Sequence, residues 1–187
     1  MSIIGNMKTI EIFIGSPRKN GNTAAMADML CSAAEGEYRL SVNYLYDIDI
    51  SHCIDCRRCL AGKLICPIAD DMQLIYSKLD AADVIVFGTP LYWYGPSAAA
   101  KLMLDRLRPY YRNKGLKGKS LALLIPAADG PPDCDLTIEM FKRSAALLGM
   151  KFAGAVTAKA FDIGELTGNE QTEKAINELF TGITAAE

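Results

Sequence analysis

Thr9-Ile10-Glu11-Ile12-Phe13-Ile14-Gly15-Ser16-Pro17-Arg18-Lys19-Asn20-Gly21-Asn22-Thr23 is the stretch that decides the fold. Its first six residues are rich in β-branched and aromatic side chains and carry one charge, as a strand covered on both faces requires. The next residues are turn formers, with glycine at 15 and 21, proline at 17 and asparagine at 20. A helical pattern then runs over Asn22–Ala34. Strand, short polar turn and helix make the first half of a βαβ unit.

Working outward, the alternation repeats. Strands are expected at Tyr38–Tyr46, Val84–Phe87, Ser120–Ile125 and Met150–Ala158. Helices are expected at Asp71–Leu79, Ala98–Leu107, Leu136–Leu148 (stopping at Gly149) and Glu170–Phe180. Five apolar strands alternating with helices predict an α/β, three-layer, doubly wound parallel sheet. The 187 residues form one domain, 1–187. Residues 51–70 break the rhythm as an inserted cysteine-rich segment, and an irregular stretch of that length is usually functional. Half of the residues are hydrophobic and the net charge is −2, a globular composition that disfavours nucleic acid. Apolar runs such as Leu121–Ile125 are far short of the roughly 20 residues that span a bilayer. Met1–Met7 lack a signal-peptide pattern, and Met7 is read as a candidate start. The expected location is the cytoplasm, where the six cysteines stay reduced.

The first loop lies where open parallel sheets bind ligands, beyond the carboxyl end of a strand and at a helix N-terminus that favours anions. Ser16, Asn20, Asn22 and Thr23 bring short donors and Arg18 a full charge. The loop lacks the spacing of a nucleoside-triphosphate loop and of a dinucleotide fingerprint. Its plainer reading is a polar turn with an Asn or Thr helix cap. A second polar and aromatic loop, Thr89–Gly95, follows the third strand. There Tyr92, Trp93 and Tyr94 offer flat amphipathic area for a planar ring, or cover for an interface or core.

Cys53, Cys56, Cys59 and Cys66 follow one another at spacings of two, two and six residues, with Pro67 after the last. Three thiols at intervals of three residues can wrap one cubic cluster and a fourth can close it. The pattern approaches a ferredoxin run, with a longer last gap. Zinc is the rival metal, although zinc sites favour two separated ligand pairs. Redox thiols without metal are the other alternative. Arg57, Arg58 and Lys63 against Asp55 make the segment locally cationic. His52 is expected at the surface and Cys31 in the core. Cys134 opens a helix without an evident partner.

Three stretches carry a resemblance that covers the whole chain. The loop Gly15–Thr23 resembles the FMN-phosphate loop of flavodoxin-like NAD(P)H-dependent FMN reductases. Gly88-Thr89-Pro90-Leu91-Tyr92-Trp93-Tyr94-Gly95 and the helix carrying Lys101, Asp105 and Arg106 are similar to that superfamily as well. The cysteine spacing resembles the iron–sulfur flavoproteins within it. The resemblance implies a flavodoxin-like strand order 2-1-3-4-5, with FMN between strands one and three. It implies FMN contacts from Ser16, Arg18, Asn20, Asn22, Thr23, Pro90, Leu91, Tyr92, Trp93, Tyr94 and Gly95. It also places Asp129 and Gly130, after the fourth strand, near the flavin ring.

By the same resemblance, Cys53, Cys56, Cys59 and Cys66 hold a [4Fe–4S] cluster. The chain is then an oxidoreductase that passes electrons from a donor such as ferredoxin through the cluster to FMN and an acceptor. No side chain is singled out as catalytic. Homodimers or homotetramers are implied. The alternatives are an NAD(P)H-dependent FMN or quinone reductase without a cluster and a non-enzymatic electron carrier. Seven basic residues and one acid lie between Lys101 and Lys119. That run reads as a solvated helix end, or as a docking surface for an anionic partner.

Overall fold

The computed structural model describes residues 7–61 and 66–185. Its strands are β1 (Thr9–Ile14), β2 (Arg39–Tyr44), β3 (Val84–Gly88), β4 (Leu91–Tyr92), β5 (Gly95–Pro96), β6 (Ser120–Ala127) and β7 (Lys151–Lys159). Its helices are α1 (Asn22–Ala34), α2 (Met72–Ala81), α3 (Ala98–Asp105), α4 (Arg108–Asn113), α5 (Asp135–Leu148) and α6 (Glu170–Ala185). Five strands form one parallel sheet in the order β2-β1-β3-β6-β7, which is 2-1-3-4-5 when the small β4–β5 hairpin is left out. This is the flavodoxin-like, doubly wound arrangement expected from the sequence.

Side-chain alternation along each strand feeds two cores. Ile10, Ile12 and Ile14 of β1, with Val84 and Val86 of β3, pack under α1 and α6 against Met26, Leu30, Ile176 and Phe180. Phe13, Ile85 and Phe87 face the other way, against Ile75, Met103 and Phe141. Removing one such side chain, at about 1.5–3 kcal/mol of burial each, would open a hole in a close-packed layer. Glu11 sits buried on that second face. It accepts from Asn43 Nδ2 at 2.8 Å, with Lys78 Nζ at 3.7 Å.

Several boundaries differ from the sequence reading, each for a local reason. β2 stops at Tyr44 because its partner β1 ends opposite, at Ile14; a short 3₁₀ turn, Leu45–Asp47, follows. The helix expected over Ala98–Leu107 ends at Asp105, and α4 restarts at Arg108. A continuous helix would need an N–H from Pro109 to reach the Asp105 carbonyl, and proline has none. α6 runs past Phe180 because Ile183 continues the buried stripe of Ile176 and Phe180. α5 stops at Gly149, which takes the left-handed conformation (φ 79°). The basic Lys63 lies outside the described residues. Among the described residues, no helix is long and apolar enough to cross a membrane.

Candidate functional site

β1, β3 and β6 deliver their carboxyl ends to one edge of the sheet. A cleft of about 440 Å³ opens there, within the range of small-molecule and cofactor sites. Its floor is the start of α1, where Gly21 is the N-cap and no side chain caps the helix. The expected Asn or Thr cap is absent, so the first N–H groups of α1 are offered to the cleft. Ser16 and Arg18 line the same end, and Ser16 Oγ accepts from the Arg18 N–H at 3.2 Å. Close packing beneath depends on two glycines. A Cβ on Gly15 would lie 2.6 Å from Ser97 Oγ and 2.9 Å from Ala100 Cβ; one on Gly88 would lie 2.9 Å from Thr23 Cγ2.

The residues expected to bind FMN divide into two groups. Ser16, Arg18, Asn22, Thr23, Pro90, Leu91 and Tyr92 line the cleft together. Asn20, Trp93, Tyr94, Gly95, Asp129 and Gly130 do not. The Asn22 side chain corrects the expectation of a free amide donor. Its Nδ2 donates to the Asp162 carbonyl at 2.8 Å, and its Oδ1 accepts from the Leu166 N–H at 3.2 Å. The amide therefore ties the loop after β7 to α1 through its oxygen and one of its two N–H groups.

Trp93 and Tyr94 form the turn of the β4–β5 hairpin, both with left-handed backbone (φ 53° and 62°). Trp93 is 97% exposed, projecting from the rim instead of flooring the cleft. The opposite wall is Phe161, Asp162 and Ile163, which the sequence reading missed. The available signal was positional, because this loop follows a parallel strand at the same edge. An uncapped helix start, a hydroxyl and an arginine at one end suit a phosphate. Aromatic and proline walls suit a flat ring. The cleft therefore fits FMN.

The segment folds against the far end of α3. Cys53, Cys56, Cys59 and Cys66 all line one concavity, closed by Tyr76, Arg106, Arg108 and Pro109. Cys59 is buried in a 3₁₀ turn, Arg58–Ala61, while Cys53 and Cys56 are exposed. Asp55 and Arg57 take left-handed backbone on either side of Cys56, an uncommon geometry that kinks the chain around it.

Two cations work on the thiols. Arg106 Nη2 donates to Cys66 Sγ at 3.4 Å. Arg108 pairs with Asp55 and lines the same concavity as Cys53. Among the described residues, no group of three His, Cys, Asp or Glu side chains is arranged to hold a single ion. Zinc would draw its thiolates to about 2.3 Å from the metal. The four thiols line one concavity of about 20 Å³ with two arginines beside it, so the cysteines expected as ligands are gathered in one place.

Arg106 and Asp70 anchor this site; Arg106 lies on a helix that carried the resemblance, but nothing in the sequence announces its pairing with Asp70. Their side chains are 1% and 2% exposed and form a two-pronged pair, at 2.5 Å (Nη1 to Oδ2) and 3.1 Å (Nη2 to Oδ1). Burial alone would raise the Asp70 pKa. The Arg106 guanidinium and the Ser51 and Met72 N–H groups outweigh it and hold the carboxyl below its ordinary value. Burial likewise opposes the charge on Arg106, and Asp70, Tyr76 and Cys66 overcome it, so the arginine is a stronger base than usual. Burial pushes the Cys59 thiol up and carries that of Cys134 to about 11.

Of the basic run, Lys101, Arg112, Lys114 and Lys117 are exposed, and several members are engaged within the chain. Arg106 is buried and Lys101 pairs with Asp105 at 2.6 Å. Lys119 donates to the Asp80 and Ala82 carbonyls, and Lys114 to the Leu147 carbonyl.

Comparison with known proteins adds to this geometry. The family model for NADPH-dependent FMN reductases matches residues 7–165. An iron–sulfur flavoprotein of Methanocaldococcus jannaschii is 41% identical over 105 residues, covering 55% of this chain and 53% of that protein. One from Archaeoglobus fulgidus is 31% identical over 129 residues, covering 68% of this chain and 58% of its own length. The matches thus span little more than half of these curated relatives. A solved structure titled as the Trp repressor binding protein from Bacillus subtilis superposes with a TM-score of 0.69. It is 23% identical and covers 91% of this chain and 98% of its own, which supports the fold alone.

Proposed function

Because the chain belongs to the NADPH-dependent FMN reductase family, and is an oxidoreductase by that membership, we propose that it is an FMN-dependent electron-transfer flavoprotein. In this reading Cys53, Cys56, Cys59 and Cys66 hold a [4Fe–4S] cluster. The electrons come from a protein donor such as ferredoxin and leave to an acceptor beyond the FMN. The observation that carries the reading is the gathering of all four cysteines around one concavity beside Arg106 and Arg108. The names of the archaeal relatives support it. When bound, the cluster supplies single-electron exchange and FMN supplies exchange of one or two electrons.

The chain's own residues do the rest. The start of α1, Ser16 and Arg18 receive the phosphate. Thr23, Pro90, Leu91 and Tyr92 face Phe161 and Ile163 across the slot for the ring. Arg106 and Arg108 place positive charge beside the thiols. A thiolate cluster with net charge of about −2 is favoured there. The exposed apolar side chains Tyr92, Trp93, Tyr94, Phe161 and Ile163 support assembly into a homodimer or homotetramer that covers the cleft mouth. A reductase without a cluster, fed directly by NAD(P)H, is the second reading, favoured by the reductant named in the family's description.

Protein purified without oxygen decides between them. We expect bound FMN and about four irons per chain, the content of one [4Fe–4S] unit. Serine at position 53, 56, 59 or 66 should sharply lower iron while FMN stays bound. Alanine at Cys31 or Cys134 should change neither. Iron-free protein after reconstitution with iron and sulfide, bleached directly by NADPH, would establish the second reading instead.

A further inference from the structure

Arg106 heads the fully buried side chains by size. It lies outside the FMN cleft, at the C-terminal cap of α3. Nη1 donates to the Ser51 carbonyl at 2.7 Å and to Asp70 Oδ2 at 2.5 Å. Nη2 donates to Asp70 Oδ1 at 3.1 Å and to Cys66 Sγ at 3.4 Å. Its carbonyl accepts from the Tyr76 hydroxyl at 2.7 Å. Asp70 in turn accepts from the Ser51 and Met72 N–H groups at 2.9 and 3.1 Å. The first and last residues of the 51–70 segment therefore meet at one guanidinium.

A buried ion pair is weak grounds for stability, because desolvation cancels much of the attraction, and apolar replacement is often neutral or better. This pair also leaves Arg106 Nε without a partner, a further desolvation cost. Stability alone is therefore a poor account of the residue. What an apolar side chain could not do is hold two chain ends in a planar fork and keep a charged donor on a sulfur.

We propose that Arg106 is a positioning residue for the cysteine site. It clamps both ends of the 51–70 segment to α3 and fixes a hydrogen-bond donor and positive charge on Cys66 Sγ. The second role rests on the iron–sulfur reading given above; the first does not. Hydrogen bonds and charge at a ligand sulfur raise a cluster's reduction potential, since the reduced form carries the extra negative charge.

The test uses wild type, Arg106→Gln, Arg106→Lys and the charge-balanced double variant Arg106→Gln/Asp70→Asn, which folds without a stranded buried carboxylate. In iron-free protein, hydrogen exchange should rise at least tenfold within the segment in both Gln variants, with β1 and β3 unchanged. Exchange in the segment equal to wild type in the double variant would overturn the clamp. In anaerobically loaded protein, the Gln variants should have a lower potential, by about 59 mV for a tenfold change in a one-electron couple. Arg106→Lys should recover part of that shift. A loaded Gln variant with the wild-type potential would overturn the tuning role. Wild type that takes up no iron would remove the iron–sulfur reading and the tuning role with it, while the exchange experiment still decides the clamp.

Discussion

Arg18 sits at the lip of the cleft with its side chain free of an ion pair among those described, one turn before an uncapped helix. A charge-assisted hydrogen bond to phosphate is worth roughly 1.5–3 kcal/mol. Arg18→Ala should therefore weaken FMN binding about tenfold or more and leave riboflavin, which has no phosphate, nearly unaffected. Paired calorimetric titrations of the two ligands measure the difference, and equal losses would mean that Arg18 acts on the ring or on the fold. Arg18 was legible in the sequence because its role depends on local chain geometry. The partners of Arg106 and of the Asn22 side chain were not. An arginine within a run of seven bases reads as solvated, and its burial comes from the 51–70 segment folding over it. The Asn22 amide pairs with a loop 140 residues later, a pairing that nothing near Asn22 announces.

At the scale of elements, the five sheet strands and the longer helices could be read from alternation of apolar runs, while the sheet order came from the family resemblance. The exceptions follow from physics that the pattern does not contain. The β4–β5 hairpin has two left-handed turn residues, which sequence reading looks for as Asn-Gly or Asp-Gly; here they are Trp93 and Tyr94. The join between the 51–70 segment and α2 also has a testable consequence. Asp70 has a lowered pKa in the folded chain, so its contribution is complete above the ordinary aspartate value near 3.9 and disappears as pH falls through the folded value. Below about pH 4, amide protection in the segment and the first turn of α2 should fall before protection in β1, β3 and β6. Asp70→Asn should lower protection at neutral pH and lose that acid step. Exchange measured by mass spectrometry between pH 2.5 and 7 checks both statements.

At the scale of the whole molecule, the chain's single tryptophan is positioned to report assembly. Trp93 stands 97% exposed in the turn of the β4–β5 hairpin. Dilute protein should show the red-shifted emission of a solvated indole. Raising the concentration should shift it to the blue and, with FMN bound, quench it as a neighbouring copy closes over the cleft. Emission independent of concentration across a sedimentation-defined monomer–oligomer transition would place the interface elsewhere.

α3 joins the two sites. Ser97, its N-cap, accepts from the Ala100 N–H, and its own N–H donates to Thr89 at the end of β3, beside Gly15. Its C-cap is Arg106. Nine residues at 1.5 Å each set the two ends about 13 Å apart. The helix thus works as a ruler of fixed length and phase, and it imposes a rule on which changes in chain length can be tolerated. One residue inserted between Ser97 and Arg106 would turn the guanidinium about 100° around the axis and advance it 1.5 Å, away from Ser51 and Asp70. The same insertion in the exposed turn at Glu35–Glu37, away from both sites, should be absorbed. Between variants of this architecture, loops are free to lengthen and shorten, whereas the span from Ser97 to Arg106 keeps its count.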